Sequence, residues 1–226
     1  NTKVLFLGAN NNRTKFYSKR DARKVLGFKT DEKIILFGTF NLASYVKGGH
    51  LLKESLKIIE SKFMKEKFYN NSLKKVNLVT IGNTNGFSAD TSKIKWTHLG
   101  MVSSDKKLNL LYRSADVLVC PSLYCFGPHI VTEALINDLP IVAFDLGVAQ
   151  DSVINGINGY LVPSFNKLLF AKAICKVLLS KKKPRSVAVN RLKSVCTSEY
   201  ETNSVIKDAT RNLNRIKKYK NLSTLR

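Results

Sequence analysis

A chain of 226 residues, 44% of them hydrophobic, is long enough to bury one sizeable core. It carries 38 basic and 16 acidic side chains, a net charge of +22, so its field draws phosphorylated ligands and anionic surfaces. Its four cysteines contain no Cys-x-x-Cys pair and no apolar run reaches membrane-spanning length; this argues against a disulfide framework, a spanning helix and a signal peptide, and makes a reducing cytoplasm the expected compartment.

Apolar and β-branched runs predict strands at 33–37, 76–81, 97–99, 117–120, 141–144 and 160–162. Helical spacing lies between them. Residues 49–63 place Leu51, Leu52, Leu56, Ile59 and Phe63 on one stripe, 105–114 place Leu108, Leu111 and Tyr112, and 166–179 place Leu169, Ala173, Ile174 and Val177. A further helix is expected at 128–136, opened by Gly127-Pro128. Strands apolar on both faces, alternating with helices, predict an α/β fold with a Rossmann-like parallel sheet covered on both sides. Ligands then bind beyond the carboxyl ends of the strands. After Lys181-Lys182-Lys183-Pro184 the pattern changes to two more helices, at 187–196 and 204–219, the second strongly basic.

The most informative stretch runs from Tyr112 to Val162. Ala115-Asp116-Val117 opens a strand that ends at Pro121-Ser122, and the loop Cys125-Phe126-Gly127-Pro128-His129-Ile130 leads into a helix bearing Glu133. A helix N-terminus offers free N–H groups and a positive dipole end to an anion. A carboxylate a turn further in can accept from a sugar diol. Upstream, Leu36-Phe37-Gly38-Thr39 is followed by Lys47-Gly48-Gly49, where glycines admit close backbone approach and the lysine adds a point charge for phosphate. In His98-Leu99-Gly100-Met101-Val102 a further glycine permits close backbone approach to a ligand.

With Leu139-Pro140-Ile141-Val142 and Asn158-Gly159-Tyr160-Leu161-Val162, these segments resemble, in order and spacing over about residues 20–180, the donor-binding half of GT-B glycosyltransferases of family 4, the retaining group 1 enzymes. The resemblance implies the C-terminal half of a GT-B fold, with residues 1–26 an interdomain linker and lead-in segment, 27–180 the donor domain and 181–226 C-terminal helices. It implies transfer of a sugar, of hexosyl type, from a nucleotide-sugar, most readily a UDP-sugar, to a glycan or lipid-linked acceptor in polysaccharide biosynthesis. No cofactor or metal is expected. An N-terminal acceptor domain would be missing from this chain, leaving the fragment with little or no turnover of its own. The charge adds an expected peripheral contact with the anionic inner face of the cell membrane.

By the same resemblance Lys47, Cys125 and Glu133 occupy catalytic positions, with Lys47 on the diphosphate and Glu133 on the ribose. Gly38, Thr39, Gly100, Met101, Val102, Phe126, Gly127, Pro128, His129 and Ile130 complete the nucleotide-sugar set. Two positions depart from the pattern. Cys125 stands where the first Glu of Glu-x7-Glu is usual, and Thr39 where an Arg often follows the strand glycine. A thiol is a weak hydrogen-bonding group, so the alternative is a nucleotide-sugar-binding module without efficient catalysis. Nucleic-acid binding has only the charge in its favour, because no motif appears and the aromatics are not interleaved with the basic clusters.

Overall fold

The computed structural model describes residues 17–63, 75–124 and 129–180. Six strands form one wholly parallel sheet in the order β3-β2-β1-β4-β5-β6. They are β1 (Lys33–Asn41), β2 (Val76–Asn83), β3 (Lys95–His98), β4 (Val117–Cys120), β5 (Ile141–Phe144) and β6 (Gly159–Val162). The helices are α1 (Lys19–Leu26), α2 (Gly49–Ile58), α3 (Asp105–Ser114), α4 (His129–Ile136), α5 (Val148–Ser152) and α6 (Lys167–Leu179). This is the doubly wound arrangement expected of the α/β reading.

Alternation along each strand builds two cores. Ile35 and Phe37 of β1, Val117 and Val119 of β4, and Val142 and Phe144 of β5 face α2 and α6. Ile34 and Leu36, Leu118 and Cys120, and Ile141 and Ala143 face the side holding α3 and α4. Both sets are buried, which is why the sequence shows unbroken apolar runs rather than alternation. On the first face Phe144 and Phe170 meet with ring centroids 5.0 Å apart. Cys175 lies buried in α6 on that side and behaves as a small apolar residue.

Caps fix the helix ends. The Ser18 hydroxyl accepts from the Asp21 amide at 3.2 Å and Gly27 closes α1 in the left-handed conformation. Asn166 caps α6 by accepting from the Leu169 amide at 3.0 Å. A buried ion pair then ties α1 to the amino end of the sheet. Arg23 donates to Asp116 at 2.7 Å, to the Ser114 carbonyl at 2.9 Å and to the Thr30 carbonyl at 2.8 Å. Asp116 also accepts from the Ile34 amide at 2.7 Å and pairs with Lys19 at 2.8 Å.

The predicted strands 117–120 and 141–144 coincide with β4 and β5. Other boundaries differ, three of them instructively. β1 continues to Asn41 because its paired register with β2 extends past Phe37. β3 lies at Lys95–His98 rather than 97–99, since an edge strand is set by its ladder to β2 and carries little apolar signal. The helix predicted over 49–63 is α-helical only to Ile58 and widens into a π turn over Ile59–Phe63. The short α5 gave no periodic signal. The predicted helices 187–196 and 204–219 lie outside the described residues.

Candidate functional site

In this strand order the connection leaving β1 runs to β2 on one side, and the connection leaving β4, its neighbour on the other edge, runs to β5 on the opposite side. The crossovers therefore part above the carboxyl ends of β1 and β4, where open α/β sheets form a ligand crevice. A cleft of about 390 Å³ lies there. Its floor is Phe37–Phe40 from β1, Ile81 and Gly82 from β2, and Val119 and Cys120 from β4. Lys47 and Ser122 close one side, Met101 and Val102 another, and His129, Ile130 and Glu133 of α4 a third.

Two glycines let the loops around this cleft close. Gly48 sits at φ 70°, and a Cβ there would lie 1.8 Å from the Pro121 carbonyl oxygen. Gly82, at φ 121°, would likewise meet the Thr39 carbonyl oxygen at 1.7 Å. Lys47 ends a short 3₁₀ turn (Tyr45–Lys47) immediately before α2 and is partly buried at the cleft edge.

Glu133 lies in the second turn of α4, partly exposed to the cleft. The hydroxyl of Tyr112, on α3, donates to its Oε2 at 2.6 Å. Tyr112 is 2% exposed. Burial, reinforced by the neighbouring Glu133 carboxylate, pushes its phenol well above the usual tyrosine range, so the hydroxyl remains a donor.

A family described as glycosyl transferases group 1 matches residues 18–193. The chain belongs to this family. An uncharacterized glycosyltransferase of Methanocaldococcus jannaschii, MJ1607, is 28% identical over 196 residues, covering 84% of this chain and 47% of that protein. The group 1 chain therefore spans about half the length of the curated relative it matches. Its fold is similar to that of sucrose-phosphate synthase from Thermosynechococcus elongatus, with TM-score 0.71 and 21% identity over 95% of this chain and 53% of that one. It is also similar to the Anabaena protein HepE in complex with UDP-glucose, with TM-score 0.65 and 19% identity over 94% of this chain and 57% of that one. Both are GT-B folds, and the six-stranded parallel sheet agrees with them.

The structure brings Gly38, Thr39, Lys47, Met101, Val102, His129, Ile130 and Glu133 of this group 1 chain around a single cleft. Gly100 stands just behind it, its carbonyl accepting from the Gly82 amide at 2.9 Å. Cys125, Phe126, Gly127 and Pro128 lie outside the described residues. Among the described residues no group of three or more His, Cys, Asp or Glu side chains is arranged to hold a metal ion, and no helix is long and apolar enough to cross a membrane.

Sequence reasoning missed Tyr112, read only as part of an apolar helix stripe, and missed Cys120 and Ser122 as cleft walls. The signal for the last two was available, because they end the strand flanking the point where the crossovers part. Conversely, two residues of the family-like motifs lie at the amino end of the sheet. Asp116 holds α1. Asn158 accepts from the Ile154 amide at 2.7 Å and donates to the Ser152 carbonyl at 2.9 Å, shaping the turn into β6.

Proposed function

We propose that this chain is the C-terminal, donor-binding half of a retaining, metal-independent glycosyltransferase of family 4, and that it binds a nucleoside diphosphate sugar across the cleft. The observation that carries this reading is the convergence on one switch-point cleft of a lysine, a helix N-terminus and a helix carboxylate. Lys47 and the first N–H groups of α4 hold the diphosphate, Glu133 accepts from the ribose diol, and the Gly100–Val102 loop reads the base edge through its backbone. UDP is the proposed nucleotide, supported by the fold shared with a protein solved in complex with UDP-glucose.

In transfer, the bond from the anomeric carbon to the diphosphate oxygen breaks and its electron pair leaves on the diphosphate. Lys47 and the α4 dipole stabilise that developing charge, the kind of fixed electrostatic contribution that commonly dominates catalysis. The acceptor hydroxyl oxygen bonds to the same face of the sugar, and its proton passes to the departing diphosphate oxygen. The acceptor, a glycan or a lipid-linked glycan, is held by a second domain. The half-length match to its curated relative supports that division, and so do large side chains exposed around the carboxyl end of the sheet: Phe40 is 73%, Tyr124 62% and Met101 55% exposed. By itself the domain binds nucleotide and turns over little. We place it in the cytoplasm, drawn by its +22 charge to the anionic inner leaflet.

The test is calorimetric titration with UDP, GDP and ADP against wild type, Lys47→Ala and Glu133→Gln. Glutamine is chosen because it still accepts from Tyr112, so the substitution does not orphan a buried hydroxyl. Selective binding of one nucleotide, weakened by both changes, supports the reading; equal binding by all three proteins refutes it. Thr39 at the cleft wall and Cys125 in the sequence favour a second reading, a binding module without efficient catalysis. A full-length protein that gains strong transferase activity on Cys125→Glu supports it.

A further inference from the structure

We infer that Tyr112 is a positioning residue for Glu133, and that through it the cleft prefers ribonucleotides to 2′-deoxyribonucleotides; this rests on the donor-site reading above.

Tyr112 belongs to the buried apolar cluster that also holds Leu111 of α3, Leu118 of β4 and Leu135 of α4, a place a phenylalanine would fill equally well. A hydroxyl carried into such a core is costly unless it is hydrogen-bonded. Its partner is Glu133 Oε2, at 2.6 Å across 21 positions of sequence. Among the described residues Tyr112 is the one side chain that donates to this carboxylate. The contact is not a helix-capping or ladder bond: it joins two helices at the wall of the cleft, and both residues line that cleft.

A carboxylate has about four acceptor positions on two oxygens. Tyr112 takes one on Oε2 and holds the group against the cleft wall, leaving Oε1 and the rest of Oε2 for a ligand. A vicinal diol brings two donors to such a pair. A glutamate free to rotate would have to be ordered by the ligand itself, at the expense of binding. With the phenol in place the carboxylate is ordered before the ligand arrives. A sugar lacking one of the two hydroxyls then leaves a fixed acceptor partly unpaired, and polar sites reject such analogues more strongly than apolar pockets do.

The experiment measures Kd for the tightest-binding of UDP, GDP and ADP and for its 2′-deoxy counterpart, on wild type, Tyr112→Phe, Glu133→Ala and the double variant. Tyr112→Phe keeps the ring and leaves Glu133 partly exposed to water, so the fold is retained. The wild type is expected to favour the ribonucleotide by about tenfold or more, and Tyr112→Phe to shrink that ratio by about three- to tenfold. In the Glu133→Ala background the tyrosine change should move the ratio no further. A wild-type preference that Tyr112→Phe leaves intact overturns the proposal while the donor-site reading stands; a wild type that binds the ribonucleotide without preference overturns it together with the ribose role given to Glu133. Failure of the wild type to bind any of the three nucleotides overturns both.

Discussion

The amide of Leu123 donates to the carbonyl of Val46 at 2.8 Å, so the loop leaving β4 is tied directly to the turn that carries Lys47. Two residues further along that turn, Gly48 rests against Pro121 of the same β4 loop. The cation proposed for the diphosphate and the loop leading to α4 therefore form one unit, though they lie some seventy-five positions apart in sequence.

Gly48→Ala breaks this unit. Its Cβ would meet backbone, which has no alternative rotamer, and its φ of 70° is unfavourable for any side chain. The expected stability loss is about 1–3 kcal/mol in denaturant unfolding. Nucleotide affinity should fall with it, because Lys47 moves when the turn moves. Unchanged affinity in calorimetry would show that the turn does not set the lysine's position.

Lys47→Ala removes a charge-assisted contact with little effect on the fold. Nucleotide affinity should drop by about 1.5–3 kcal/mol, roughly ten- to 150-fold in Kd. Measured from low to high salt, the gap between wild type and variant should narrow as ions screen the lysine.

Tyr112 supplies a pH signature. Its phenol is held well above the usual range in the folded chain by burial and by Glu133, whereas in the unfolded chain it ionises near about 10. The stability this contributes is complete below that value and is lost as pH rises through the folded pKa, because the unfolded state releases the proton first. Wild type should therefore lose stability on going above pH ~10 more steeply than Tyr112→Phe. Parallel curves from chemical unfolding at pH 8 to 11 would contradict this.

Arg23→Ala tests the opposite end of the sheet. The arginine's side chain is 5% exposed, so the change removes one partner of Asp116, which keeps Lys19 and the Ile34 amide, and leaves two carbonyls without their donor. A loss of about 2–4 kcal/mol is expected, seen as a lowered denaturation midpoint. Nucleotide affinity of the folded fraction should be unchanged, since none of these groups lines the cleft.

The strands were legible wherever burial on both faces left an unbroken apolar run, as at Val117–Cys120 and Ile141–Phe144. β3 was legible as a strand but not in its bounds: Lys95, Thr97 and His98 carry little pattern, and pairing with β2 sets where it begins and ends. Lys47 and Glu133 could be singled out because each is a charge amid apolar or glycine neighbours. Tyr112 could not, because an aromatic on a helix stripe reads as core, and the distinguishing fact is a contact to another helix. Asp116 and Asn158 stand in the motifs without lining the cleft: their hydrogen bonds go to backbone, Arg23 and Lys19.

The Arg23–Asp116 clamp grips the strands where they begin, and the cleft opens where they finish. What keeps the molecule folded and what it selects as a guest are thus inscribed on opposite rims of the same sheet. Loops on the far rim can be lengthened, shortened or exchanged with little charge on folding, so one scaffold can be retuned to new donors by rewriting a few turns while its foundations stay untouched.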